Sequence, residues 1–117
     1  MASRSTPSIS THVLDNERGQ PARGCPVRLL HWQGGELNEI GSAATDEDGR
    51  IEDLAGKGLQ VGSYRIVFEV AEYFQQAGRA APFLERVAID FQVDDSARHY
   101  HVPLLLTPYA CTSYRGS

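Results

Sequence analysis

Two histidines flank a tyrosine in His99-Tyr100-His101, and a third stands in Ser10-Thr11-His12. On an extended chain, residues two apart share a face, so His99 and His101 present their imidazoles on the same side. With His12 as a third ligand this is one route to a zinc site, but histidines at such spacings are a weak metal signal. Proton transfer uses them better, because imidazole gains and loses its proton near neutrality. Arg50, after Asp46-Glu47-Asp48-Gly49, and Arg115, near the C-terminus, add guanidiniums suited to an anion or a carbonyl oxygen. The Asp46-x-Asp48-Gly49 segment reads as a turn and not a calcium loop, since the first ligand position holds Ala44 and the twelfth Ala55. No serine or cysteine has a nucleophile-elbow context. His31, beside Trp32, reads as a structural histidine.

The elements that must position these groups are short strands. Residues 9–15, 26–32, 37–45, 62–70, 86–93, 99–106 and 110–115 alternate apolar with polar side chains or are rich in β-branched and aromatic residues, and turn chemistry separates them. One short helix is expected over 71–77, ended by Gly78. Strands at this spacing predict an all-β fold, an antiparallel β-sandwich. The penultimate strand is odd. With Tyr100, Val102, Leu104 and Leu106 in the core, the opposite face carries His99, His101, Pro103 and Leu105, apolar groups among imidazoles. The first strand repeats the pattern: Ile9 and Val13 point inward, His12 and Leu14 outward. If these strands are neighbours, one outer face is a mixed apolar surface holding histidines, which marks an interface containing a site.

Composition narrows the partners. With 117 residues the chain is expected to form one domain over 9–117, preceded by a Ser-rich extension over 1–8 expected to be disordered. The net charge of −4, with the arginines scattered, predicts no nucleic-acid partner and no polybasic membrane patch. No apolar run reaches 18 residues, so no membrane span is expected. The first residues, MASRSTPSIS, lack the apolar stretch of a secretory signal, and a cytoplasmic location is expected. Cys25 and Cys111 lie far apart, without CxxC or Cys/His zinc spacing, and read as reduced thiols.

Four segments together carry a resemblance along nearly the whole chain: Ser10-Thr11-His12-Val13-Leu14-Asp15, Thr45-Asp46-Glu47-Asp48-Gly49-Arg50, His99 through Tyr109, and the terminal Tyr114-Arg115-Gly116-Ser117. The sequence resembles the 5-hydroxyisourate hydrolases, a transthyretin-like family of purine catabolism. The resemblance implies two four-stranded sheets, a short helix after the fifth strand, and a homotetramer built as a dimer of dimers. It implies active sites at the dimer–dimer interface, on the outer face that periodicity singles out. His12, Arg50 and His101 match the family's catalytic positions; Tyr114, Arg115 and Ser117 match its substrate-binding ones, and His99 stands in the motif as a neighbour. The implied reaction is attack of water on a ring carbonyl of 5-hydroxyisourate, giving 2-oxo-4-hydroxy-4-carboxy-5-ureidoimidazoline with no metal or organic cofactor. The hormone-carrying transthyretins share the fold and lack these histidines and the terminal signature. The other reading is a transthyretin-like protein that binds small aromatic ligands without turnover. Cys111-Thr112 departs from the family, which more often has an aromatic residue and a serine there.

Overall fold

Alternating side chains need two apolar faces to meet, and two sheets supply them. The computed structural model describes residues 6–56 and 58–116. Among these the elements run β1 (Ile9–Asp15), β2 (Gln20–Pro21), β3 (Pro26–Gln33), β4 (Glu36–Ala44), β5 (Arg50–Ile51), β6 (Gly62–Phe68), α1 (Val70–Gln76), β7 (Val87–Val93), β8 (Tyr100–Leu106) and β9 (Cys111–Ser113). One sheet has the order β2-β1-β8-β9, with the two-residue β5 also on β1; the other is β4-β3-β6-β7. Leu14 and Asp15 pair with β2, whereas Thr11 and His12 pair with β5, so two short strands share one edge of β1.

The sandwich with one helix agrees with the sequence reading. Periodicity gave no sign of β2 and β5, which are too short to show a period. Nor did it give strand direction: β1 and β8 run parallel while the other paired strands are antiparallel. Ile9, Val13, Tyr100, Val102, Leu104 and Leu106 from one sheet meet Val27, Leu29, Tyr64, Ile66, Phe68 and Val93 from the other, all buried. Burying each aliphatic side chain contributes about 2 kcal/mol. The helix places Val70, Tyr73 and Phe74 against this core. It closes with Gly78 N–H on the Gln75 carbonyl (3.0 Å) and Arg79 N–H on that of Phe74 (2.8 Å), which turns Arg79 back toward β1. There fully buried Asp15 accepts from Arg79 and from the Tyr73 hydroxyl at 2.7 Å, tying helix to strand.

One boundary needs correction. Ser8, assigned by sequence to a disordered extension, is only 2% exposed. Its carbonyl accepts from Tyr100 N–H at 2.9 Å and its hydroxyl bonds Asp53. The chain is already part of the sheet one residue before β1, because β8 extends far enough to pair with it. Met1 to Ser5 lie outside the described residues.

Candidate active site

The turn after β4 puts a cation beside an imidazole. Asp46 Oδ1 accepts the backbone N–H groups of Asp48 and Arg50, each at 2.9 Å, an Asx-type turn. These bonds, Arg50's first, together with the charges of Arg50 and His12, hold the Asp46 carboxyl below the usual range. Gly49, with φ of 75°, brings its carbonyl to Val13 N–H at 2.7 Å; a Cβ there would lie 2.4 Å from the Val13 carbonyl oxygen. Such close approach is open to glycine alone. The strand that follows sets Arg50 directly opposite His12. Facing residues of an antiparallel pair share a face, with Cβ atoms roughly 5 Å apart.

On the other edge of β1 the parallel register places Ser10 opposite His101, His12 opposite Pro103 and Leu14 opposite Leu105. The two strands are neighbours, so the outer face is contiguous, and it is not fully open to water: His12, Leu14, His101 and Leu105 are half-buried and Pro103 is buried. A polar cleft of about 170 Å³ opens beside it, lined by Ser10, Arg50, Glu52, His99 and His101, among others. His12 stands next to this cleft through its pairing with Arg50.

The chain end reaches the same place. After β9 it continues along β8, where Gly116 N–H bonds the His101 carbonyl at 2.8 Å. The glycine lies so close to the imidazole that a Cβ would come 2.5 Å from His101 Cδ2. Tyr114 is exposed near this end of the sheet. The Arg115 guanidinium lies 4.7 Å from the centroid of the Tyr100 ring, a cation–π contact. With Tyr114, Phe91 and Ile89 it borders an apolar cleft of about 250 Å³ between edge strands β7 and β9. The structure thus brings His12, Arg50 and His101 together, and sets Arg115 in the apolar cleft that His101 also lines. Ser117 lies outside the described residues.

Sequence reasoning missed one group and underrated another. The Ser10 hydroxyl sits between two imidazoles, 2.8 Å from His99 Nε2 and 2.8 Å from His101 Nδ1. Ser10 is two residues before His12, so alternation alone puts it on the same face; only the register makes it a partner of His101. His31 is buried, stacked on Tyr64 with ring centroids 4.1 Å apart, in the other sheet, which suits the structural role expected of it. Among the described residues no three His, Cys, Asp or Glu side chains gather as a metal site.

Comparison with known proteins agrees with this geometry. The family model described as "HIUase/Transthyretin family" matches residues 9–116. A 5-hydroxyisourate hydrolase of Deinococcus radiodurans is 44% identical over 115 residues, covering 95% of this chain and 97% of that protein. The Klebsiella pneumoniae 5-hydroxyisourate hydrolase structure superimposes with a TM-score of 0.83 at 33% identity, covering 95% of this chain and 99% of that one. A transthyretin from Sparus aurata reaches a TM-score of 0.85 at 26% identity, over 92% and 95% of the two chains. The backbone is thus common to proteins named for catalysis and to transthyretins, and the side chains on the outer face must decide between them.

Proposed function

The chain belongs to the HIUase/Transthyretin family, and from that membership we propose that it hydrolyses 5-hydroxyisourate to 2-oxo-4-hydroxy-4-carboxy-5-ureidoimidazoline, a step of urate catabolism. The observation that carries the reading is the pairing of His12 with Arg50 beside the polar cleft that Arg50 and His101 line. Water is a weak nucleophile at neutral pH, so ring opening needs a group that takes its proton as the C–O bond forms, and imidazole has the right basicity. The attacked carbonyl oxygen gains negative charge, which the Arg50 guanidinium and imidazole N–H groups stabilise where water is excluded. A proton returned to the ring nitrogen completes cleavage of the C–N bond.

Tyr114, Arg115 and Ser117 are assigned to substrate binding by their match to the family's positions, and Arg115 also rests on the Tyr100 ring. The working form is a homotetramer of about 50 kDa, four copies of a 12.9 kDa chain arranged as a dimer of dimers. Two features support it. The outer face of β1 and β8 sets Leu14, Pro103 and Leu105 beside the histidines, and among the described residues β7 and β9 are the last strands of their sheets. Packing two such faces together excludes water and strengthens every polar contact to the substrate.

The test follows ultraviolet absorbance of freshly generated 5-hydroxyisourate. The protein is expected to accelerate its loss beyond the spontaneous rate, and His12→Ala, Arg50→Ala and His101→Ala should each lower kcat/KM by roughly 10²-fold with little change in melting temperature. A protein that binds the compound and leaves the spontaneous rate unchanged would establish the carrier reading instead.

A further inference from the structure

We propose that Ser10 and His99 are positioning residues for His101: they form a one-way hydrogen-bond chain that starts at a backbone amide and fixes the tautomer His101 presents to the substrate. The chain itself is argued from geometry alone; its use in catalysis rests on the hydrolase reading.

The direction is set at Ser8. Its backbone N–H lies 3.0 Å from His99 Nδ1. An amide N–H only donates, so Nδ1 holds a lone pair and the proton of neutral His99 sits on Nε2. That nitrogen is 2.8 Å from Ser10 Oγ, which therefore accepts. The hydroxyl then has its single proton to give to His101 Nδ1, also at 2.8 Å. With that proton directed at Nδ1, the favoured tautomer of neutral His101 carries its own proton on Nε2. The reverse tautomer would fill both lone pairs of the Ser10 oxygen with ring donors and leave the buried hydroxyl proton without a ring acceptor, an unsatisfied donor whose cost corresponds to roughly a tenfold bias.

Ser8 is well held for this purpose. Its carbonyl takes Tyr100 N–H at 2.9 Å and its side chain bonds Asp53, whose Oδ1 also accepts Gly56 N–H at 2.9 Å. Ser10 is only 4% exposed, so water competes poorly for its hydroxyl.

The consequence divides labour between the two catalytic imidazoles. A neutral imidazole that shows an N–H to its substrate acts as an electrophile and not as a base. His101 Nε2–H donates to the attacked carbonyl oxygen. His12, set opposite Arg50 across the strands, is the base. Water's oxygen bonds to the carbonyl carbon and its proton passes to His12, while the carbonyl π pair becomes an oxyanion held by His101 Nε2–H and Arg50. Collapse of the oxyanion breaks the C–N bond, whose electron pair stays on the ring nitrogen and takes the proton back from His12. His101 keeps its own proton throughout, so the chain never has to reverse.

The test reads tautomers directly, by long-range proton–nitrogen NMR of protein labelled with 15N-histidine, without substrate, at about pH 8.5 where imidazoles are neutral. His99 and His101 are expected to carry their protons on Nε2. In Ser10→Ala, His101 should become a mixture of tautomers and kcat should fall with the lost share of the Nε2–H form, roughly twofold, with KM little changed, while circular dichroism reports an intact fold. His99→Leu should behave like Ser10→Ala, and His99→Gln, which keeps an N–H donor, should retain most of the turnover. A His101 proton on Nδ1, or a His101 tautomer unmoved by Ser10→Ala, would overturn the chain. The expected spectra in a protein that does not accelerate hydrolysis would leave the chain standing and remove the hydrolase reading alone.

Discussion

Gly116 is the position where a single methyl group should stop turnover without unfolding the protein. In Gly116→Ala the new Cβ would stand 2.5 Å from His101 Cδ2, 3.1 Å from Cγ and 3.3 Å from Cβ. Carbon atoms pack at about 3.5–4.0 Å, so ring and tail must separate by at least about 1 Å. The ring is tied by the Ser10 contact to Nδ1, and the tail by its bond to the His101 carbonyl. If the ring yields, displacement of about 1 Å in a reacting group costs on the order of 10²-fold in rate. If the tail yields, the backbone bond is lost, about 1 kcal/mol, and the terminal residues leave the site. The first route predicts a kcat/KM lower by about 10²-fold, and the second the loss of whatever the terminal residues contribute to the site. At about 4 °C per kcal/mol the melting temperature falls by only a few degrees. The assay pairs ultraviolet decay of 5-hydroxyisourate with a circular-dichroism melt. Wild-type kcat/KM in Gly116→Ala would refute the argument that the tail seats against His101.

Three further outcomes are expected. Leu105→Arg, opposite Leu14 on the outer face, should set like charges across the subunit contact and give dimers with intact β-structure and little activity, which light scattering and the absorbance assay would check. Asp15 has burial pushing its pKa up, but hydrogen bonds from Arg79, Tyr73 and the Arg18 backbone, with the Arg79 charge, outweigh it and hold the carboxyl below the usual carboxylate range. A depressed carboxylate contributes stability that is present above its unfolded pKa and lost as pH falls through its folded one. Asp15→Asn should therefore cost about 3 kcal/mol at neutral pH and flatten the acid limb of stability, and a wild-type urea midpoint at pH 7 would contradict this. Burial, reinforced by the charges of Glu69 and Glu72, pushes the Cys25 thiol up to about 12. In a Cys111→Ser protein, Cys25 should resist a thiol reagent at pH 8 until denaturant is added, and prompt labelling of the native protein would show that the β3 end of the sandwich opens.

The local order of this chain was legible in its residues. Alternation marked Ile9–Asp15 as a strand with His12 outward, and put His101 and Leu105 on the outer side of β8, because side-chain direction in a strand repeats every two residues whatever the strand pairs with. The terminal segments carried the family resemblance for the same reason, as runs of neighbouring residues. Which strands touch, and in what register, depends on the burial of Ile9 and Val13 with Val102 and Leu104 against the opposite sheet. Only the tertiary structure decided that β1 lies parallel to β8, which sets Ser10 against a histidine 91 residues away. It also decided that a two-residue strand carries Arg50 to His12, and that Arg115 turns to Tyr100 while Gly116 seats on His101. A two-residue period tells which face a side chain takes; its neighbour across the sheet is set by long-range packing, which no local spacing encodes.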